Sequence, residues 1–284
     1  MSEMTTTMAV HRLAMSGGVC WLVWLWGVSG SLADDQSTVA ARRLTLQRIF
    51  SSDEFRTQKR RLSWAASGDT YQSLEASVDH TDAFDLVEYD AGTGQRGVVV
   101  AAADLIPAGR KRPLVVRGFQ WSADGRRLLI FTNTRRVWRT HTRGDYWVFD
   151  PRQKALRQIG ATKKSAQLMF AKFCPHGMRV AYVYENDLYV EHLETGHITR
   201  LTHRDSSELI NGTSDWVYEE EFRLRDGFRW SADGCQIAYW QFDTRGMREF
   251  TLIDNTTDIY PRLTQFKYPK AGETNPACRI GVVS

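Results

Sequence analysis

The pentapeptide Trp121-Ser122-Ala123-Asp124-Gly125 returns unchanged as Trp230-Ser231-Ala232-Asp233-Gly234. Looser copies stand at Trp64-Ala65-Ala66-Ser67-Gly68 and Phe173-Cys174-Pro175-His176-Gly177, so that successive copies begin 57, 52 and 57 residues apart. Each opens on an aromatic residue and closes on a glycine, which takes positive φ without a Cβ penalty; Asp-Gly in particular is a strong hairpin-turn signal. After the last three turns come Arg127-Leu128-Leu129-Ile130-Phe131, Arg179-Val180-Ala181-Tyr182-Val183 and Gln236-Ile237-Ala238-Tyr239-Trp240, rich in the β-branched and aromatic residues that suit a pleated surface.

A second hairpin follows in three of these units. Asp85 to Tyr89 leads through Gly92-Thr93-Gly94 to Val98-Val99-Val100, Asp145 to Phe149 leads to Ala155 to Ile159, and Asp187 to Val190 leads through Glu194-Thr195-Gly196 to Ile198 to Leu201. Four strands in each period of about 50 to 60 residues is the pattern of β-propeller blades. One long antiparallel sandwich is the alternative, but a recurring aromatic-plus-glycine turn favours the propeller. The expected fold is all-β, with about four to five four-stranded blades. A strand-like end at Cys278 to Ser284 leaves two readings. The chain is either a small four-bladed ring or the front of a larger propeller whose ring is incomplete, and the second is expected.

An apolar share of 42% over 284 residues suffices for a core, and 12% aromatic residues, 10 of them Trp, lean the same way toward β architecture. Net charge is only +4, with basic clusters confined to Arg110-Lys111-Arg112 and Lys163-Lys164, so nucleic acid is not an expected partner. His11 and Arg12, the apolar run Val19 to Val28 and the small-residue end Ser31-Leu32-Ala33 have the layout of a secretory signal peptide, residues 1–33. An uncleaved anchor is the other reading. Residues 34–43 follow as a polar, flexible lead-in, and 44–284 as the folded part, in an exported protein that is periplasmic, secreted or membrane-associated. Cys174, Cys235 and Cys278 show no C-x-x-C spacing or histidine partner, so no metal or cofactor is expected. They read as buried small residues, with room for one disulfide.

The stretch Asn211 to Phe222 carries the chemistry. Ser214-Asp215 supplies N-cap oxygens for a short helix, placing Glu219-Glu220-Glu221 in its early turns, where the macrodipole favours negative charge. Three adjacent carboxylates are either a solvated acidic turn or a clamp for a cation; an ammonium offers three donors that converging carboxylates can meet. Trp216 and Tyr218 are then expected to wall the clamp and lower its dielectric.

The run Asp215-Trp216-Val217-Tyr218-Glu219-Glu220-Glu221-Phe222 resembles the propeller of the dipeptidyl peptidase IV family, serine exopeptidases related to prolyl oligopeptidase. The resemblance continues through Phe228 to Gly234, Gln236 to Asp243 and Tyr268 to Pro276, and upstream through Leu44 to Arg56 and Val137-Trp138-Arg139-Thr140-His141. It implies release of Xaa-Pro or Xaa-Ala dipeptides from peptides with a free N-terminus. By register, Glu220 and Glu221 are the implied ligands of the substrate ammonium, Glu219 supports them, and Arg139 is implied to hydrogen-bond the substrate backbone. The family's nucleophile lies in a G-x-S-x-G elbow on an α/β-hydrolase domain, and neither occurs in these 284 residues. No catalytic residue is therefore assigned. A homodimer is allowed for a full-length form, and the rival reading is a stand-alone, non-catalytic propeller that binds peptides or partner proteins.

Overall fold

The computed structural model describes residues 43–57 and 62–284; the expected signal segment 1–33 and residues 34–42 of the lead-in lie outside them. The chain divides into two units, Met1–Lys59 and Arg60–Ser284. In the first, a five-residue helix, Leu46–Phe50, is capped by Thr45, whose Oγ1 accepts from Arg48 N at 3.2 Å.

The second unit is all-β. Its first sheet runs β1 (Leu62–Trp64), β2 (Thr70–Ala76), β3 (Phe84–Asp90), β4 (Arg96–Val100), each antiparallel to the next. The second is β5 (Gly118–Trp121), β6 (Leu128–Val137), β7 (Thr140–Asp150), β8 (Ala155–Ile159); the third is β9 (Met169–Phe173), β10 (Arg179–Tyr184), β11 (Asp187–His192), β12 (Ile198–Arg200). These are propeller blades in up-and-down order. The repeat glycines take positive φ at each first turn: Gly68 +80°, Gly125 +67°, Gly177 +69° and Gly234 +65°.

The fourth sheet departs from the simple repeat. β13 (Leu209–Asn211), β14 (Phe228–Trp230) and β18 (Ala277–Val283) all pair with β15 (Ile237–Asp243). Between β15 and β18 the chain leaves the sheet as a separate two-stranded hairpin, β16 (Glu249–Asp254) and β17 (Arg262–Lys267). Among the described residues no sheet closes on itself, and the fold is a partial propeller.

Apolar side chains meet between neighbouring blades. Leu86 and Val100 of the first sheet pack with Leu128, Ile130, Trp147 and Phe149 of the second. The opposite faces of β6 and β7, with Leu129 and Val148, meet Phe173, Val180 and Tyr182 of the third, and Ala181, Val183 and Leu188 continue to Phe228 and Ile237 of the fourth. Because β10 is covered on both faces it reads as a nearly continuous apolar run rather than an alternation. Full burial of each such side chain contributes about 1.5–3 kcal/mol.

Polar groups fix the register between blades. Asp85, Asp145 and Asp187 lie on the third strand of their sheets, and each binds the segment leading onward. Asp85 accepts from Ala102 N at 2.7 Å and Asp145 from Ala166 N at 2.6 Å, while Asp187 accepts from Thr202 Oγ1 at 2.7 Å and Asn211 Nδ2 at 3.0 Å. Two residues past the repeat glycine, Arg127 donates to Gly177 O (2.9 Å) and Arg179 to Gly234 O (2.7 Å), so the turn of one blade is latched to the next. The three cysteines among the described residues are free thiols. Only Cys174 is buried; Cys235 and Cys278 are exposed, which corrects the expectation that all three are core residues, because both lie outside the inter-blade faces.

Candidate functional site

The segment from Asn211 to Asp226 is pinned at both ends. Asn211 Nδ2 donates to buried Asp187, its Oδ1 accepts from Gln241 Nε2 at 2.9 Å, and its backbone N–H donates to Asn186 O at 2.9 Å. Gly212 follows at φ +73°, where a Cβ would meet Leu188 Cδ2 at 2.7 Å. On the return side, Thr213 and Ser214 hydroxyls donate to the carbonyls of Arg225 (2.9 Å) and Leu224 (2.5 Å).

Lys172 of β9 completes this anchor. Its ammonium donates to Asp226 Oδ1 at 2.5 Å and to Phe228 O at 3.0 Å, and lies over the Phe228 ring. Burial pulls the Lys172 pKa down to about 8, against the opposing pull of Asp226 and with help from Arg229. The unfolded chain then holds a proton that the folded chain has lost between pH 8 and the ordinary lysine value of 10.5, so this group's contribution to stability rises with pH across that window. Urea unfolding midpoints of wild type and Lys172→Met between pH 8 and 10 are expected to show a rise in the wild type that the variant lacks; parallel pH profiles would contradict it.

Asp215 caps the helix Trp216–Glu220 through Tyr218 N (3.2 Å) and Val217 N (3.3 Å), as the Ser214-Asp215 pair predicts. The helix is only five residues long, so Glu220 is its last residue and Glu221 its C-cap. The dipole therefore favours Glu219 alone, which corrects the placement of the whole run in early turns. The three carboxylates part company. Glu219 accepts from Arg225 Nε at 3.2 Å, and burial raises its pKa against that pairing. Glu220 accepts on Oε2 from Arg139 Nε at 2.6 Å, a contact between residues 81 apart in sequence. Glu221 is exposed.

Arg139 reaches Glu220 because β6 and β7 join at Val137 and Thr140 through the two-residue turn Trp138-Arg139. Trp138 takes φ +51°, a left-handed conformation that a bulky residue adopts at a cost of about 1–3 kcal/mol. Its indole is held by Phe266, with ring centroids 4.8 Å apart. The Glu220 side chain is 9% exposed and Arg139 80%, so the carboxylate is the buried partner. Its second oxygen, Oε1, is buried and has no hydrogen-bond partner.

Glu220 and Arg139 stand at the wall of a cavity of about 680 Å³, with Trp138, Trp216, Phe250, Leu252, Phe266, Tyr268 and Lys270. Trp216 lies 4.6 Å from Tyr268 and 5.7 Å from Phe266, centroid to centroid. Trp216 thus forms a wall, as expected, but Tyr218 does not. Two residues from both Trp216 and Glu220, and so on another face of the helix, its ring packs on Phe242 (4.6 Å) and Phe222 (5.4 Å). Behind Trp138, Trp216 and Phe266 a second cavity of about 590 Å³ holds Arg143, Asp215, Glu219, Glu208 and Lys267. The structure therefore brings together Glu220, Arg139 and Trp216; it sets Glu219 on the far side of the aromatic partition and leaves Glu221 in solvent. Phe250, Phe266 and the half-buried Arg143 had no sequence signal of their own, although Tyr268 lies in a segment already notable for its resemblance.

Residues 122–284 match the model of the dipeptidyl peptidase IV N-terminal region, more than half of the chain. The chain belongs to this family. The probable dipeptidyl-aminopeptidase B of Podospora anserina is 29% identical over 274 residues, covering 87% of this chain and 29% of that protein. Dipeptidyl aminopeptidase B of Saccharomyces cerevisiae is 35% identical over 176 residues, 60% of this chain and 21% of its own length. In fold, the chain is similar to Porphyromonas gingivalis dipeptidyl peptidase 4, with a TM-score of 0.73 at 23% identity over 85% of this chain and 33% of that one. The chain thus spans less than a third of the length of these relatives. Among the described residues no group of three or more His, Cys, Asp or Glu is placed to hold a metal, and no helix is long and apolar enough to cross a membrane.

Proposed function

We propose that this chain is the amine-recognition part of an exported dipeptidyl peptidase IV-like serine peptidase that releases Xaa-Pro or Xaa-Ala dipeptides. Glu220 receives the α-ammonium of a peptide on its free Oε1, Glu221 supplies the second carboxylate from the solvent side, and Arg139, exposed and adjacent, hydrogen-bonds the peptide backbone. The observation that carries this reading is the buried, unpartnered Oε1 of Glu220: desolvating a charged acceptor without a donor costs free energy that an incoming ammonium recovers. Holding the amine at a fixed point makes the site a ruler, because the bond two residues on is then set against a nucleophile and longer overhangs are excluded. That nucleophile belongs to an α/β-hydrolase domain whose G-x-S-x-G elbow is not in this sequence.

Calorimetric titration of the 284-residue chain with Gly-Pro-amide and with N-acetyl-Gly-Pro-amide tests the reading. Binding of the free amine and loss of binding on acetylation are expected; equal affinities would sink it. The other reading is a stand-alone propeller that holds peptide N-termini without hydrolysis. A G-x-S-x-G coding sequence in the downstream reading frame separates the two.

A further inference from the structure

The apolar contact between the third and fourth sheets, where Ala181, Val183, Leu188 and Val190 meet Phe228 and Ile237, gives way at one end to a cavity of about 270 Å³. The strand registers account for its lining. Arg179 is the cross-strand partner of His192, whose backbone N–H donates to His197 O at 2.9 Å, and two residues along, Ala181, Val190 and Thr199 form the next row. Period two puts both rows on one face of the third sheet. That face turns from apolar to polar toward the Glu194-Thr195-Gly196 turn, and its polar end borders the cavity. The facing row, Trp230, Ile237 and Val283, consists of successive cross-strand partners on β14, β15 and β18. Glu191, next to His192 in sequence, is on the opposite face of β11, where it pairs with Arg157 and accepts from Gly160 N at 2.7 Å.

Among the described residues that line the cavity none is Asp or Glu. Arg179 donates through Nη2 to Gly234 O at 2.7 Å, its guanidinium carbon lies 5.5 Å from the centre of the Trp230 ring, and it has further N–H groups to offer. His192 Nδ1 accepts from Thr195 N at 3.4 Å, which leaves the ring proton on Nε2. Trp230 Nε1, which can only donate, is buried without a hydrogen-bond partner. Such a donor costs free energy that an entering acceptor recovers. A cationic, donor-lined edge beside an apolar floor suits an anion with an apolar body. Volume limits its size: a cavity of about 150 Å³ takes one benzene ring, so this one has room for a ring, a short chain and a carboxylate.

We propose that the cavity between the third and fourth sheets is a binding site for a small organic carboxylate. The carboxylate lies among Arg179, His197 and the Trp230 N–H, and the apolar body rests on Val190, Ile237 and Val283. The site is built by two blades and shares no lining residue with the cavity beside Glu220.

The test is calorimetric titration of the 284-residue chain with hydrocinnamate, its neutral isostere hydrocinnamamide and N-acetylphenylalanine, repeated on Arg179→Met and Trp230→Phe. The wild type is expected to bind hydrocinnamate about tenfold or more tightly than the amide, the equivalent of one hydrogen bond to a charged group, and each variant to lose most of that preference. Trp230→Phe keeps an aromatic ring and removes the N–H, so it reads the site even where Arg179→Met, which also cuts the bond to Gly234 O, fails to fold. N-acetylphenylalanine separates two sources of the same chemistry: affinity equal to that of hydrocinnamate supports the site as one for peptide C-termini, and weaker affinity supports it as one for free acids. Equal wild-type affinity for acid and amide, or no binding of hydrocinnamate, overturns the proposal. So does an acid preference that either folded variant keeps in full, since the acid then binds elsewhere.

Discussion

Glu220→Gln is expected to weaken binding of a free peptide N-terminus by about 30-fold to several thousand-fold, the equivalent of about 2–5 kcal/mol for removing one partner of a desolvated charge pair. Two effects act together. The buried Oε1 loses its charge, and Arg139, which the Glu220 Oε2 neutralises at 2.6 Å, is left facing the incoming cation. Stability is expected to change little, because the Arg139 side chain is 80% exposed and solvated with or without its partner. Glu221→Gln is the informative control. Its carboxylate lies in solvent outside the cavity, where ion pairs contribute about 1 kcal/mol or less, so its loss is expected to stay below about tenfold. Calorimetry on the two variants and the wild type measures the ratio, and an unchanged affinity in Glu220→Gln would remove the carboxylate from the site.

Asp187→Ala is expected to be the most damaging single change to the scaffold, at about 3–5 kcal/mol, the cost of leaving the buried Thr202 hydroxyl and Asn211 amide without their charged acceptor. The Asp187 side chain is 2% exposed and gathers Arg200 Nη2 at 2.5 Å, Arg204 Nε at 3.6 Å, Thr202 Oγ1 and Asn211 Nδ2. Removing it strands two guanidinium groups and an amide. The loss is expected as a lowered urea midpoint at unchanged slope, and peptide affinity should fall as well, since Asn211 is the entry to the site segment. A midpoint equal to that of the wild type would show that the network is dispensable.

Much of the fold was legible because it is local. The glycine turns at Gly125, Gly177 and Gly234, the runs that follow them and the Asp215 cap each depend on residues a few positions apart, and pattern reading captures such features. The fourth sheet was less legible. β15 and β18 are separated by a hairpin whose strands look like blade strands in sequence, and only the pairing partner distinguishes them. The site was legible in its type and less so in its geometry. Adjacent glutamates read alike in a row, yet a helix that ends at Glu220 sends Glu219 to Arg225, Glu220 to Arg139 and Glu221 into water. Of the aromatic walls only Trp216 was foreseen, because Trp138 and Phe266 are brought to it by tertiary contacts alone.

The Arg139–Glu220 contact joins a turn of the second blade to a helix inserted in the fourth. No partially assembled chain can own that contact, since the third blade must be in place between its two ends. A peptide bound at Glu220, as proposed, and completion of the array are then thermodynamically linked: a ligand that binds only the assembled form stabilises it by about 2.7 kcal/mol at a hundred times its dissociation constant. On that proposal a peptide is a late folding ligand that discriminates a finished scaffold from an unfinished one.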